Sequence, residues 1–210
     1  SANWGVYIMS VEMNLTSQTA LGYYINPLIS VLLGVVLLSE RLDRLQKTAI
    51  ALALVGVLVK TIAGGTFPWI ALTLAFSFAF YGYLRKTVAI GPTAGFTVEV
   101  ALLFPLALGY LVWTEIEGTG RFTESIEMAG WLVFAGPVTA APLILYAYAA
   151  KRLRLATLGL MQYIAPSLIF LLSFTLFGEQ LDLPQIITFA LIWSALVLYT
   201  ISVMRPEARG

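Results

Sequence analysis

The 210-residue sequence contains no histidine and no cysteine, and only 11% of it is charged. Without histidine the chain has no Ser-His triad, no His-ligated metal centre and no imidazole proton relay. Without cysteine it has no disulfide, no thiolate nucleophile and no iron–sulfur cluster. A formal net charge of +1 offers no global basic surface for nucleic acid. Soluble domains carry roughly 25% charged residues, so the shortage of charge is itself a signal of class. Apolar residues take up the space: 60% of the chain is hydrophobic and the mean hydropathy is +0.89. The expected fold is all-α, a polytopic membrane bundle whose function rests on a few polar groups. Its composition calls for no cofactor and no metal.

A hydrocarbon core of ~30 Å takes about 20 helical residues to cross. Seven stretches of that kind are predicted, near 16–38, 45–62, 67–84, 93–113, 128–150, 155–177 and 184–204. Residues 2–11 are apolar but too short to cross, and read as the end of an eighth helix. Alternating the connections between two sides divides the basic residues unevenly. Arg41, Arg44, Lys47, Arg85, Lys86, Lys151, Arg152, Arg154, Arg205 and Arg209 share one side, and Lys60 and Arg121 the other. Ten against two is a strong positive-inside bias. It sets the loops after 16–38, 67–84 and 128–150, and the tail at 205–210, in the cytoplasm. The acidic loop with Glu115, Glu117, Glu124 and Glu127 then faces outward.

Displaced by 139 positions, residues 19–62 align on 158–201 without a gap. Tyr24 meets Tyr163, Pro27 meets Pro166, Glu40 meets Glu179, Asp43 meets Asp182 and Gln46 meets Gln185. Leucine matches leucine by accident in apolar helices, but this set of residues in one register points to duplication. The 139-residue unit holds an odd number of spans, so the second copy enters the membrane in the opposite sense. On this reading residues 1–62 are the C-terminal part of a first unit and 67–204 a complete second unit. About 70 residues are then expected upstream, giving a parent of ten helices, five plus five. Inverted repeats are characteristic of secondary transporters, whose halves exchange inward-open and outward-open shapes about a central site.

The stretches Leu21-Gly22-Tyr23-Tyr24-Ile25-Asn26-Pro27-Leu28, Ala75-Phe76-Ser77-Phe78-Ala79-Phe80-Tyr81-Gly82 with Arg85-Lys86, and Arg152-Leu153-Arg154-Leu155-Ala156-Thr157-Leu158-Gly159 running into Gln162-Tyr163-Ile164-Ala165-Pro166 carry a further signal. In them the chain resembles the RarD-like branch of the EamA family, within the drug/metabolite transporter superfamily. The resemblance covers the whole chain. It implies ten helices in two inverted units and an inner-membrane permease of small metabolites or drugs, with a small-molecule substrate and the lipid bilayer as partners. The first two helices and part of the third have no counterpart in this sequence.

Pro27 and Pro166 each remove a backbone donor and free a carbonyl, at Tyr23 and Gln162. In a membrane such a break is tolerated only where protein or a cavity satisfies it. Paired interruptions in two halves point to a central site, and the alternative is a packing kink. Asn26 lies close to the midplane, where its amide bonds either another helix or a substrate. Tyr23, Tyr24, Gln162 and Tyr163 surround the same level of the two repeats. Because Asn26 aligns with Ala165 and Tyr23 with Gln162, the proposed site is asymmetric and suits an organic solute.

Glu99 is the one acid well inside a span, and is the candidate for proton coupling; the alternative is a structural pair with Arg85 or Lys86. Pro137 and Pro142 should bend the helix at 128–150, with Thr139 available to a freed carbonyl and Tyr146 as a cavity-lining candidate. Ala71, Ala75 and Ala79 form a small-residue stripe for close helix packing. The expectation is a secondary transporter rocking two inverted units around Pro27 and Pro166. A channel or a passive scaffold is the competing reading, and an intramembrane enzyme is disfavoured because no base stands near the embedded hydroxyls.

Overall fold

The computed structural model describes residues 2–13, 15–65, 67–175 and 182–204, and these are helical apart from short connections. In chain order the elements are α1 (Ala2–Glu12), α2 (Thr16–Leu38), α3 (Arg44–Ala63), α4 (Trp69–Thr87), α5 (Pro92–Ile116), α6 (Ile126–Arg152), α7 (Leu155–Met161), α8 (Ile164–Thr175) and α9 (Leu183–Met204). Among the described residues six spans are long and apolar enough to cross a membrane: Thr19–Leu38, Arg44–Ala63, Pro92–Ile116, Ile126–Arg152, Leu155–Leu172 and Leu183–Met204. The chain is thus a multi-pass membrane protein. The stretch expected at 67–84 does fold as a helix, α4. Tyr81, Tyr83, Arg85 and Lys86 make its last turns polar, so its mean hydropathy is lower than that of the six.

The stretch expected as one helix over 155–177 is two. At Gln162 and Tyr163 the i→i−4 ladder gives way to i→i−3 bonds, Gln162 N–H to the Gly159 carbonyl at 3.0 Å and Tyr163 N–H to the Leu160 carbonyl at 3.1 Å, and this tight turn ends α7 and starts α8. Pro166 consequently occupies the first turn of α8, where its missing N–H has no intrahelical partner to lose. Pro27, by contrast, lies inside the uninterrupted 23 residues of α2.

The chain divides into two compact units, residues 1–83 with 153–210 and residues 84–152. This division follows packing, whereas the boundaries at 62 and 67 follow the repeat. The first unit holds the core, formed by Leu21, Tyr24, Ile25 and Val31 of α2, Ala49, Ala53 and Val57 of α3, Ala71 and Ala75 of α4, Ala156 and Leu160 of α7, Tyr163, and Phe189, Ile192, Ala195 and Tyr199 of α9. The alanine stripe of α4 does what its spacing suggests. Ala71, Ala75 and Ala79 are fully buried, and α2 comes so close at Gly22 that a Cβ there would lie 3.3 Å from the Ala71 carbonyl oxygen.

Helix α3 packs along α9 by the same device. A Cβ on Gly56 would meet the Thr188 carbonyl at 3.2 Å, and the Thr188 hydroxyl donates to the Gly56 carbonyl at 3.0 Å. The repeated Asp and Gln explain the starts of both helices. Asp43 and Gln46 form a capping box on α3, and Asp182 accepts from the Gln185 N–H at 2.6 Å on α9. Of the matched acids Glu40 and Glu179, Glu179 lies outside the described residues.

In the second unit α5 has no buried residue, and α6 buries only Ala147 and Ala150. Pro137 and Pro142 both lie on the exposed surface of α6. Thr139 donates to the Ala135 carbonyl at 2.8 Å, an ordinary bond one turn back. The carbonyls that the two prolines free belong to Val133 and Val138, so Thr139 does not serve either. The tail at 205–210 lies outside the described residues.

Candidate functional site

Helices α2 and α7 run antiparallel, and their meeting residues step along the seam in order. Asn26 faces Gln162, Ser30 faces Gly159, Gly34 faces Ala156, and Glu40 faces the Leu155–Ala156 backbone. The four-residue spacing of Asn26, Ser30 and Gly34 places them on one face of α2. Small side chains let the two backbones approach. A Cβ on Gly159 would lie 2.8 Å from both the Pro27 carbonyl oxygen and the Ser30 Cβ, and one on Gly34 would lie 3.3 Å from the Ala156 nitrogen.

The polar groups of this seam are buried in an apolar surround. Asn26 is 5% exposed and donates through Nδ2 to the Gln162 side-chain oxygen. Its own Oδ1 has no hydrogen-bond partner among the described residues, and neither does the hydroxyl of fully buried Ser30. A buried acceptor left unbonded in a low-dielectric surround is unfavourable, so these two oxygens are the groups a ligand would satisfy. One end of the Asn26 amide thus joins another helix, and the other has no partner among the described residues.

Tyr163 is fully buried and donates its hydroxyl to the Tyr24 carbonyl at 3.0 Å. The carbonyl it reaches adjoins that of Tyr23, the one freed by Pro27. The two residues joined are 139 apart, the same displacement that superposes the repeated sequences. Tyr24 is buried and packs edge-on to Phe189, with ring centroids 5.7 Å apart. Tyr23 points away from the seam and is half exposed. Of the residues expected at the centre, Tyr24, Asn26, Gln162 and Tyr163 come together beside Pro27 and Tyr23 does not. Pro166 is buried beyond the break, at the start of α8.

The remaining candidates belong to the second unit. The Arg85 guanidinium is 8% exposed and meets the Glu99 carboxylate at 3.1 Å. Gly95 makes room for it, since a Cβ there would collide with the guanidinium nitrogen. Together with Leu84, Val88, Ile90 and Val98 they line a cavity of about 210 Å³. The structure thus realises the ion-pair alternative for Glu99. Tyr146 is half-buried on α6, and neighbouring Tyr148 shares a hydrogen bond with Thr93 at 3.2 Å and lies under the Arg152 guanidinium.

Sequence reasoning passed over Ser30, Gly34, Gly159 and the role of Glu40. The first two were legible, since Asn26, Ser30 and Gly34 recur every four residues as the alanines of α4 do. Gly159 and Glu40 become informative only once α7 is known to lie against α2.

Comparison with known proteins finds relatives over nearly the whole chain. The chain is 44% identical over 213 residues to an uncharacterized transporter of Pseudomonas aeruginosa, covering all of this chain and 70% of that protein. It is 43% identical to the protein RarD of Streptomyces exfoliatus, covering all of this chain and 67% of the relative. Protein RarD of Escherichia coli K12 is 41% identical, with 99% of this chain and 70% of the relative aligned. No protein-family model and no solved structure matches the chain.

Proposed function

This chain belongs to the RarD family of membrane transporters, and we propose that it moves a small organic solute across the cytoplasmic membrane by rocking two inverted units about the α2–α7 seam. One observation carries the reading. Two buried oxygens, Asn26 Oδ1 and the Ser30 hydroxyl, have no hydrogen-bond partner among the described residues, in the contact between helices related by the repeat. A solute with a hydrogen-bond donor would satisfy them, and the seam must open to admit it. The hydroxyl of Tyr163 on the Tyr24 carbonyl supports the duplication, because residues near a pseudo-twofold axis meet their own equivalents.

The wider assignments follow from the same reading. The parent has ten helices, the basic loops and the C-terminus face the cytoplasm, and the chain is a permease rather than an enzyme. Relatives named as transporters support the last point. Proton coupling at Glu99 is the least supported part, since its carboxylate already has a cation partner in Arg85.

The test is reconstitution in liposomes with a panel of metabolites and drugs, run with and without a pH gradient. Saturable uptake that disappears in Asn26→Ala supports the reading. Flux that never saturates favours a channel, and no flux for any compound favours a scaffold. Uptake whose pH dependence is unchanged in Glu99→Gln removes Glu99 from the mechanism.

A further inference from the structure

We propose that the Glu40 carboxylate is a latch that holds the α2–α7 seam shut at one end, and that its release opens the polar seam from that side. The two carboxylate oxygens accept from the first two backbone N–H groups of α7, Leu155 at 2.6 Å and Ala156 at 3.0 Å. These are donors that a helix cannot satisfy internally. The residue in the N-cap position, Arg154, makes no side-chain cap, so the cap comes from a residue 115 positions away. A local cap stays with its helix, but this contact breaks whenever α2 and α7 separate.

Two backbone features hold the carboxylate in place. Ser39 ends α2 in a left-handed conformation, with φ of 54°, and turns Glu40 back along the helix. Gly34 leaves the notch it occupies, since a Cβ there would lie 2.7 Å from Glu40 Oε2. The latch is reinforced by neighbours at the same end. Arg154 donates to the Arg41 carbonyl, Ser202 binds Asp43, and the Thr157 and Tyr199 hydroxyls share a hydrogen bond at 3.0 Å.

The opposite end of the seam has no such closure. Beyond the break at Gln162 and Tyr163, no hydrogen bond joins α2 to α8 among the described residues. Ile164, Leu168 and Ile169 of α8 are each more than half exposed, whereas Leu155, Ala156, Leu158 and Leu160 of α7 are buried. Phe170 instead stacks on Phe189 of α9, with centroids 3.9 Å apart. Among the described residues, carboxylate capping of one helix by the other occurs at the Glu40 end of the seam, while Asn26–Gln162 and Tyr163–Tyr24 join its middle. Arg41, Arg44, Lys47 and Arg154 surround that end, which the basic bias sets in the cytoplasm. The latch rests on the alternating-access reading for its purpose, and on the geometry alone for its existence.

The absence of cysteine makes the test direct. A single reporter, Ser30→Cys, is placed in the protein in lipid nanodiscs, and its rate of reaction with a charged, membrane-impermeant thiol reagent is measured. Glu40→Ala should raise that rate at least about tenfold, with Glu40→Gln intermediate because it keeps one acceptor but loses the charge. In liposomes the gain should come from the Arg41 side. A disulfide between Arg41→Cys and Arg154→Cys should return the Glu40→Ala rate to that of the parent, and reductant should restore the gain. Unchanged labelling in both Glu40 variants, with helical circular dichroism intact, overturns the latch, as does an equal rise from both sides. If Glu40→Ala does not fold, Glu40→Gln and the cross-link on the parent decide the matter. Labelling that responds while no solute moves counts against the transport reading and leaves the latch standing; transport without a labelling response does the reverse.

Discussion

Helix α2 and the α7–α8 pair are aligned by the repeat, carry a tyrosine and a proline at the same two positions, and fold differently. Pro27 is accommodated inside one continuous helix, while the chain breaks three residues before Pro166 and restarts. The difference follows from what packs on each. Around Pro27 the α2 backbone is held on one side by α7 at Gly159 and on another by α4 at Gly22, so the helix is supported on both flanks of the missing hydrogen bond. Beyond Gln162 no close backbone approach of this kind is seen between α8 and α2 among the described residues, and Tyr163, in the turn, sends its hydroxyl to the Tyr24 carbonyl. One proline is thus strain absorbed by packing, and the other marks a joint.

The largest expected effect breaks the support for the continuous helix. Gly159→Leu places a side chain where a Cβ already lies 2.8 Å from a backbone carbonyl, and a carbonyl cannot turn aside as a flexible side-chain tip can. Overpacking of this kind costs about 3 kcal/mol or more, read as lost resistance to unfolding by SDS in mixed micelles. Gly130→Ala is the control, since a Cβ there has nothing within 4 Å. Its stability should match the parent to within about 0.5 kcal/mol. Equal stability of the two variants would mean that α7 does not lie against α2 as described.

A smaller effect sharpens the joint. Tyr163→Phe removes one hydroxyl from the Tyr24 carbonyl, and Asn26→Leu removes the amide that reaches Gln162. Interhelical hydrogen bonds in membranes are worth about 0.6 kcal/mol on average and up to roughly 1.7. Asn26→Leu should cost the more of the two, because it leaves the Gln162 oxygen buried without that donor. The double variant should fall short of the sum of the singles, since both bonds cross the same few ångströms of seam.

Much of this arrangement was legible before any coordinates. Hydropathy located the helices, and the 139-residue displacement paired Tyr24 with Tyr163 before their contact was known. The repeated Asp and Gln were visible as a pattern, but that they cap α3 and α9 needed the helix starts. What stayed illegible depends on third parties. Whether a proline kinks or ends a helix is set by its neighbours, so Pro166 marked the carbonyl of Gln162 without saying that the helix would end there. Glu40 looked like one more loop acid because its partners are backbone N–H groups 115 positions away. Glu99 was open between two roles because either is possible for an acid near a span end, and Gly95 and Arg85 decide its contact.

The smallest difference is the one that tests the comparison most narrowly. Pro166 stands in the first turn of α8, where no backbone bond is lost by its missing N–H, so Pro166→Ala should leave stability within about 0.5 kcal/mol of the parent. Pro27→Ala restores a donor inside α2, where the Tyr23 carbonyl waits one turn back, and should stabilise the protein by about 1 kcal/mol. If the two prolines serve as equal hinges, the variants will shift stability alike. If one is absorbed inside a continuous helix and the other stands in a first turn, only the Pro27 variant will move.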